Sequence, residues 1–467
     1  MLFMRDSNLF KYRFKEVIRN ALHPGSFIQN VSIASSWNLA IILVQFTLSP
    51  IITRIYTPYQ YGIFTVFSSI IVNLSMLGSL KYNEAIVLAP THTERNDIAS
   101  LSGILILCVS FLSWIGVVFF SSDLVSFLNE PRLLNFIYFI PLGVGLVGTI
   151  EILLSINVWN KRFFNNGLAG FFTNITSRIF TIAFGLFIQP VAVGLISGDL
   201  IGKASGSLTI IFTSRSFRKK FIDQIRSISI RSMVAVASVY KYFPLYILPT
   251  SIITTLSNHL PIYFFQAKYS SEIVGAYALS ASLLEIVNRL IPYSVAGVFF
   301  SKAVELKNQS SDQLTRATYK VFKVVFMISL FIFIVSSATS RYVFPFIFGE
   351  SWKLAGVFAG ILSVSYATNF INVSLLEIYK VISKEKLLLN TTIISVLIKV
   401  VTLVLLSYSD VDASNGLFYF CIASALGNIF QILIVLAKLN LKLWPISLAM
   451  VVMETIIVTV AYFVNLY

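Results

Sequence analysis

About thirteen runs of this chain are apolar over some twenty residues or more, and that repetition constrains the fold more than any other feature. A helix needs about 20 residues to cross the hydrocarbon core of a membrane. The runs fall at roughly 30–54, 61–89, 97–120, 133–160, 164–188, 190–213, 238–267, 272–301, 318–340, 353–380, 386–408, 415–437 and 443–465. Composition agrees: the 467 residues are 57% hydrophobic and 12% charged. That is more apolar surface than a soluble chain can hide. Forty-one Phe and 21 Tyr suit contact with lipid tails and headgroups. The expected fold class is therefore an all-α polytopic membrane protein.

Charge placement orients the spans. With the N-terminus in the cytoplasm, most of the 35 lysines and arginines fall in cytoplasmic segments, among them Lys11, Arg13, Lys15, Arg19, Arg218, Lys219 and Lys220. External segments hold only Arg54, Arg132, Lys268, Arg341 and Lys353. This asymmetry obeys the positive-inside rule. It also accounts for the +15 net charge without a nucleic acid, because the basic excess faces anionic lipid. The expected location is a membrane, with the N-terminus on the cytoplasmic side. The first apolar run is too long for the core of a cleavable signal. Residues 9–22 and 214–231 alternate apolar and basic positions at helical spacing, as helices lying on the inner membrane surface do. Cys108 and Cys421 lie inside apolar runs, and His23, His92 and His259 are scattered singly. Neither a disulfide framework nor a metal site is expected, and no cofactor.

The chain also repeats itself. "SPIITRIYTPYQYGIFTVFSSI" and "LPIYFFQAKYSSEIVGAYALSASL" each carry a Pro-Ile near the end of a span (Pro50, Pro261), a short polar turn and a Gly opening the next helix (Gly62, Gly275). "TIEILLSINVWNKRFF" lines up with "LLEIYKVISKEKL". The expected organisation is a cytoplasmic amphipathic segment (1–29), an N-lobe of six helices (30–213) and a basic linker with an interfacial helix (214–237). A C-lobe of six helices (238–438) and an extra C-terminal helix (443–465) follow. Six spans per half make the halves parallel repeats, with a substrate site expected between them near mid-membrane. Gly194, Gly198, Gly202 and Gly206, four apart, mark a close helix-packing face.

Ionisable groups inside spans are costly and face a cavity or one another. Three pairs have local helical spacing: Lys81/Glu84, Asp199/Lys203 and Glu285/Arg289. Arg178 and Lys399 have no such local partner; each lies near mid-bilayer on the fifth span of its half. Glu151 and Glu377, each followed by Ile, take matching places on the fourth spans. Two readings stay open: Glu151 with Arg178 and Glu377 with Lys399 as buried ion pairs, or cations that bind substrate and acids that carry a coupling ion. On the second reading Arg178, Lys399, Lys81 and Arg289 are the candidate substrate contacts. Glu84, Glu151, Asp199, Glu285 and Glu377 are the candidates for a coupling ion or for pairing. No nucleotide-binding glycine loop, zinc motif or nucleophile–histidine set appears, and the longest external connections are short, so an enzyme is not expected.

"SPIITRIYTPYQYGIF", "YNEAIVLAP", "WNKRF" and "FPFIFGESWKLAG" follow in that order. Together they resemble the bacterial polysaccharide-unit flippase family, transporters of lipid-linked O-antigen and capsule repeat units. That family shares a superfamily with the MATE multidrug exporters and the lipid II flippases. By resemblance, Arg54, Pro58 and Gly62 match one family stretch; Tyr82, Glu84, Ala85 and Ile86 a second; Gly349, Trp352, Ala355 and Gly356 a third. The resemblance implies a V-shaped fold of two six-helix lobes that alternates between inward-open and outward-open states. It implies the bacterial cytoplasmic (inner) membrane as location and an undecaprenyl-pyrophosphate oligosaccharide as substrate, for lipopolysaccharide O-antigen, capsule or exopolysaccharide. Membrane lipid, a polysaccharide polymerase and a chain-length regulator are the partners implied. Residues 443–465 depart from the family's twelve helices. The rival reading is a MATE-like, cation-coupled exporter of small organic cations.

Overall fold

A computed structural model of the protein describes residues 27–213 and 230–466, and every long element in it is a helix. The amphipathic stretch at 9–22 and most of that at 214–231 lie outside the described residues. The long helices are α1 (Phe27–Ile55), α2 (Pro58–Gly78), α3 (His92–Phe127), α4 (Ile140–Trp159), α5 (Phe163–Phe187) and α6 (Ala192–Thr213). The helix Ile230–Val239 then leads into α7 (Leu248–Lys268), α8 (Ser271–Gln309), α9 (Ser311–Phe348), α10 (Lys353–Val381), α11 (Glu385–Ser407), α12 (Ala413–Lys438) and α13 (Leu443–Ala461).

Eleven of these are both long and apolar enough to cross a membrane. The other two are α5 and α7, which carry Asn165, Asn166, Asn174 and Arg178, and Thr250, Thr254 and His259. Their 25 and 21 residues still reach across the hydrocarbon layer at about 1.5 Å per residue.

The expected span 61–89 is not one helix. α2 ends at Gly78, Leu80 and Lys81 turn left-handed at φ 49° and 65°, and a separate turn of helix runs Tyr82–Ala85. Lys81 and Glu84 therefore lie just beyond the end of an apolar helix, which is why charge appears there without lying inside the bilayer-crossing run.

Contacts divide the chain into two units. The first takes in the chain up to Ile55, Phe67–Leu124 and Arg132–Thr255; the second takes in Tyr56–Val66, Val125–Pro131 and Leu256–Tyr467. In the first, α6 lies tight against α5. A methyl group on Gly202 would come within 2.5 Å of the Thr173 carbonyl oxygen, so only glycine permits that approach. In the second, α10 is the core, buried along most of its length from Ala355 to Val381. α13 packs into this unit through Ile446, Met450, Met453, Ile457 and Ala461, all buried. Arg341 of α9 donates to the Val464 carbonyl at 2.6 Å and holds its far end.

The sequence repeat is also a backbone repeat. After α4, Asn160 donates to Ile156, Lys161 (φ 57°) to Val158 and Arg162 to Asn157. After α10, Ile382 donates to Ile378, Ser383 (φ 56°) to Lys380 and Lys384 to Tyr379. The register of these turns corrects the sequence pairing. Lys399 falls opposite Ser177 rather than Arg178, and Glu377 opposite Ser155 rather than Glu151.

Candidate functional site

The motif residues at the start of α2 meet the start of α8. A methyl group on Gly62 would lie 1.7 Å from the Ser271 carbonyl oxygen, and one on Gly275 would lie 1.8 Å from that of Pro58. Each glycine is four residues into its helix, so equivalent positions of the repeat touch reciprocally, as across a two-fold axis. Glu130 ties the crossing together, accepting from Tyr59 at 2.8 Å and from Ser271 at 2.6 Å. Gln266 donates to the Leu128 carbonyl at 3.1 Å. Trp352, fully buried, meets Tyr61 edge-on at 5.6 Å. Burial pushes the Tyr56 phenol up to about 12. Motif residues far apart in sequence thus form one junction, whose buried carboxylate, Glu130, was not singled out in the sequence.

In the first unit a polar seam joins α1 to α5. Gln45 donates to Asn174 at 2.7 Å, and Arg178 to the Ser49 hydroxyl at 3.3 Å. Arg178 thus faces α1 and not Glu151. Glu151 instead accepts from Asn83 at 3.3 Å, close enough to Lys81 and Glu84 for both charges to act on it. Lys81 and Glu84 pair at 2.9 Å, and Lys203 pairs with Asp199 on α6. Tyr82 donates to the Ala237 carbonyl at 3.0 Å, so the motif tyrosine anchors the helix Ile230–Val239. Tyr240 donates to Glu94 at 3.0 Å beside it. Burial raises both phenols above their usual value, and for Tyr240 the Glu94 carboxylate adds to the rise. Arg95 stacks over Trp159 at 4.6 Å.

In the second unit Arg289 and Glu285 pair at 3.1 Å with side chains 72% and 38% exposed. Tyr293, one turn further along the same face, is 60% exposed. Glu377 pairs with Lys380 at 2.9 Å, not with Lys399. Lys399 is half-buried, and its charge acts on the Cys421 thiol of α12. An amide network fills the core: Asn372 donates to Gln431 at 2.6 Å, and Tyr379 to the Gln431 carbonyl at 2.8 Å.

Both proposed ion pairs, Glu151 with Arg178 and Glu377 with Lys399, are therefore replaced by other partners. The amides that organise these sites, Gln45, Asn174, Asn372 and Gln431, carry no charge, and a search for ionisable groups passes over them. A cavity of about 400 Å³ in the first unit, lined by Ile70, Leu74, Leu112, Val117 and Phe120, is apolar and suits hydrocarbon rather than sugar.

Thirteen long helices among the described residues, eleven of them apolar enough to span, and a reciprocal glycine crossing between equivalent helix starts define a multi-pass membrane fold. Solved structures share it. A lipid II flippase, MurJ, in an inward closed conformation aligns with TM-score 0.65 at 13% identity over 91% of this chain and 97% of that one. An inward-facing MATE-family multidrug resistance transporter of the MOP superfamily aligns with TM-score 0.63 at 16% identity over 85% and 94%. The MATE multidrug transporter DinF-BH aligns with TM-score 0.59 at 16% identity over 88% and 97%. No curated protein sequence matches the chain significantly. Residues 51–356 match the family described as "Polysaccharide biosynthesis protein", and the chain belongs to that family.

Proposed function

We propose that this protein is a flippase. It carries an undecaprenyl-pyrophosphate-linked oligosaccharide repeat unit from the cytoplasmic to the outer leaflet of the cytoplasmic membrane, for O-antigen, capsule or exopolysaccharide synthesis. The observation that carries the reading is membership of a polysaccharide biosynthesis family on a transporter fold. The polar residues of α5 and α7 support it, since a sugar-bearing cargo needs polar walls inside a bilayer. Arg178 of the first unit is the cation we assign to the pyrophosphate, because guanidinium binds phosphate oxygens in a bidentate manner; Arg289, open on the second unit, is a separate candidate. Gln45 and Asn174 offer hydrogen bonds to sugar hydroxyls. Lys81 pairs with Glu84 beside Glu151, which favours charge pairing over ion coupling at that helix end. The Lys399 charge acts on the Cys421 thiol, which favours a structural part for it. The six-helix lobes 30–213 and 238–438 alternate access. The chain acts as a carrier and makes no covalent change to its cargo.

Reconstitution in liposomes with a fluorescent undecaprenyl-pyrophosphate trisaccharide tests this. Translocation that needs Arg178 supports the flippase. Export of a cationic dye without movement of the lipid-linked trisaccharide would overturn it in favour of a MATE-like exporter. The N-terminus lies in the cytoplasm on this reading, and the thirteenth helix carries the C-terminus outside. Alkaline phosphatase fused at Tyr467 is then active, and fused at Lys442 inactive.

A further inference from the structure

α13 lies beyond the twelve helices of the repeat, and its sequence contains one charged residue between Leu443 and Val464, Glu454. That residue lies eleven positions into the helix, about 16 Å along its axis and so near mid-depth. It is 9% exposed and belongs to the stripe Ile446, Met450, Met453, Ile457 and Ala461 that packs into the second unit. Neither carboxyl oxygen has a hydrogen-bond partner among the described residues.

Glu454 makes no hydrogen bond to the titratable and charged groups on the elements packed against α13. On α12, the Cys421 thiol is close enough for the Glu454 charge to act on it, and Lys399 of α11 acts on the same thiol. On α9, Arg341 donates to the Val464 carbonyl, and Lys323 lies over the Tyr319 ring. On α10, Glu377 and Lys380 pair with each other, Tyr366 donates to the Ala281 carbonyl and Tyr379 to that of Gln431. None of these bonds reaches Glu454.

A bare carboxylate without donors in an apolar core is among the most costly arrangements a membrane helix can hold. We propose that Glu454 is a proton-binding site, occupied while α13 is packed as seen here and emptied when the helices around it repack during transport. A metal ion needs several ligands at once, and no group of three or more His, Cys, Asp or Glu gathers among the described residues. A proton needs only the one carboxyl group. Placing it on α13 gives a helix outside the repeat a part in the cycle.

The test uses the full-length protein in liposomes and dicyclohexylcarbodiimide, an apolar reagent that adds to protonated carboxyl groups. The adduct is located by peptide mass. At neutral pH Glu454 is modified, with a yield that falls several-fold as the pH is raised, while the more exposed Glu285 and Glu305 stay unmodified. Glu454→Gln loses the adduct and Glu454→Asp keeps it. Absence of an adduct at Glu454 at every pH, or a yield that ignores pH, overturns the site. Translocation by Glu454→Gln that responds to a pH gradient as strongly as the unaltered protein overturns its link to the cycle. The labelling makes no use of the cargo, so its outcome stands apart from that of the flippase assay.

Discussion

α5 and α11 follow the same left-handed turn, hydrogen bond for hydrogen bond, yet present different chemistry. α5 carries Arg178, which donates to Ser49 of α1; α11 carries Lys399, whose charge reaches Cys421 of α12. In the register of the shared turn the two cations stand one residue apart. One residue of α-helix is about 100° of rotation, enough to move a side chain from one neighbouring helix to another. Ser177, at the place of Lys399, lies against Gly198 and Gly202 of α6, the helix equivalent to α12. The two units thus share what builds the backbone, and they differ in what faces outward from it.

The shared backbone is where a small change has the largest effect. Gly275→Ala forces a methyl into the Pro58 carbonyl and should destabilise the protein by about 3 kcal/mol or more, as should Gly62→Ala. Gly103, with open space around it, is the control: Ala there should gain up to ~1 kcal/mol from helix propensity alone. Thermal melting of the purified variants separates these signs. Equal effects at Gly103 and Gly275 would break the claim that equivalent helix starts touch.

Next comes the chemistry that is not repeated. Arg178→Ala should abolish lipid-linked trisaccharide translocation with the protein still folded, by at least about 100-fold in rate, and Arg178→Lys should recover part of it because charge survives without the planar fork. Lys399→Met, in an apolar packing position, should keep most of the activity. Comparable losses at both residues would show that the two cations are equivalent after all and that the one-residue offset is of no consequence.

The sequence made the helices and the repeat legible because each rests on signals that recur: twenty apolar residues per span, a glycine four residues into α2 and α8, and a polar turn between α4 and α5. It misled where one residue decides direction. Glu151 and Glu377 share a following isoleucine, but the turns place them a full helical turn apart, and that register is set by Lys161 and Ser383 adopting positive φ. Neither residue type announces such a conformation. Glu130 was hidden for a different reason: it looks like a loop acid, and only the helix starts folding onto it make it a buried acceptor.

Smaller effects are expected at the Lys81–Glu84 pair, whose side chains are 17% and 45% exposed. Partial exposure screens such a pair, so Lys81→Met or Glu84→Gln should each cost no more than about 1 kcal/mol. The double variant should be milder than the worse single one, because each single variant leaves one charge without its neighbour. A double variant inactive in translocation at normal protein levels would instead assign the pair a direct part in transport, and would make this helix end a site with no counterpart in the second unit.

The smallest effect is a reversal of sign. In a continuous helix Ala is more stable than Gly by about 1 kcal/mol. At a left-handed position the order inverts by a similar amount, because a Cβ there meets the following carbonyl oxygen. Lys81→Gly and Lys81→Ala both remove the ammonium group, so comparing them isolates the backbone. With Lys81 at φ 65°, the Gly variant should melt higher. The same order should hold for Lys161 and Ser383, at φ 57° and 56°, if the turns after α4 and α10 are one device used twice. An Ala variant melting above its Gly partner at Lys81 would restore a helix running unbroken through 61–89. A split result at Lys161 and Ser383 would mean that the two units share the turn in shape but not in the strain it stores.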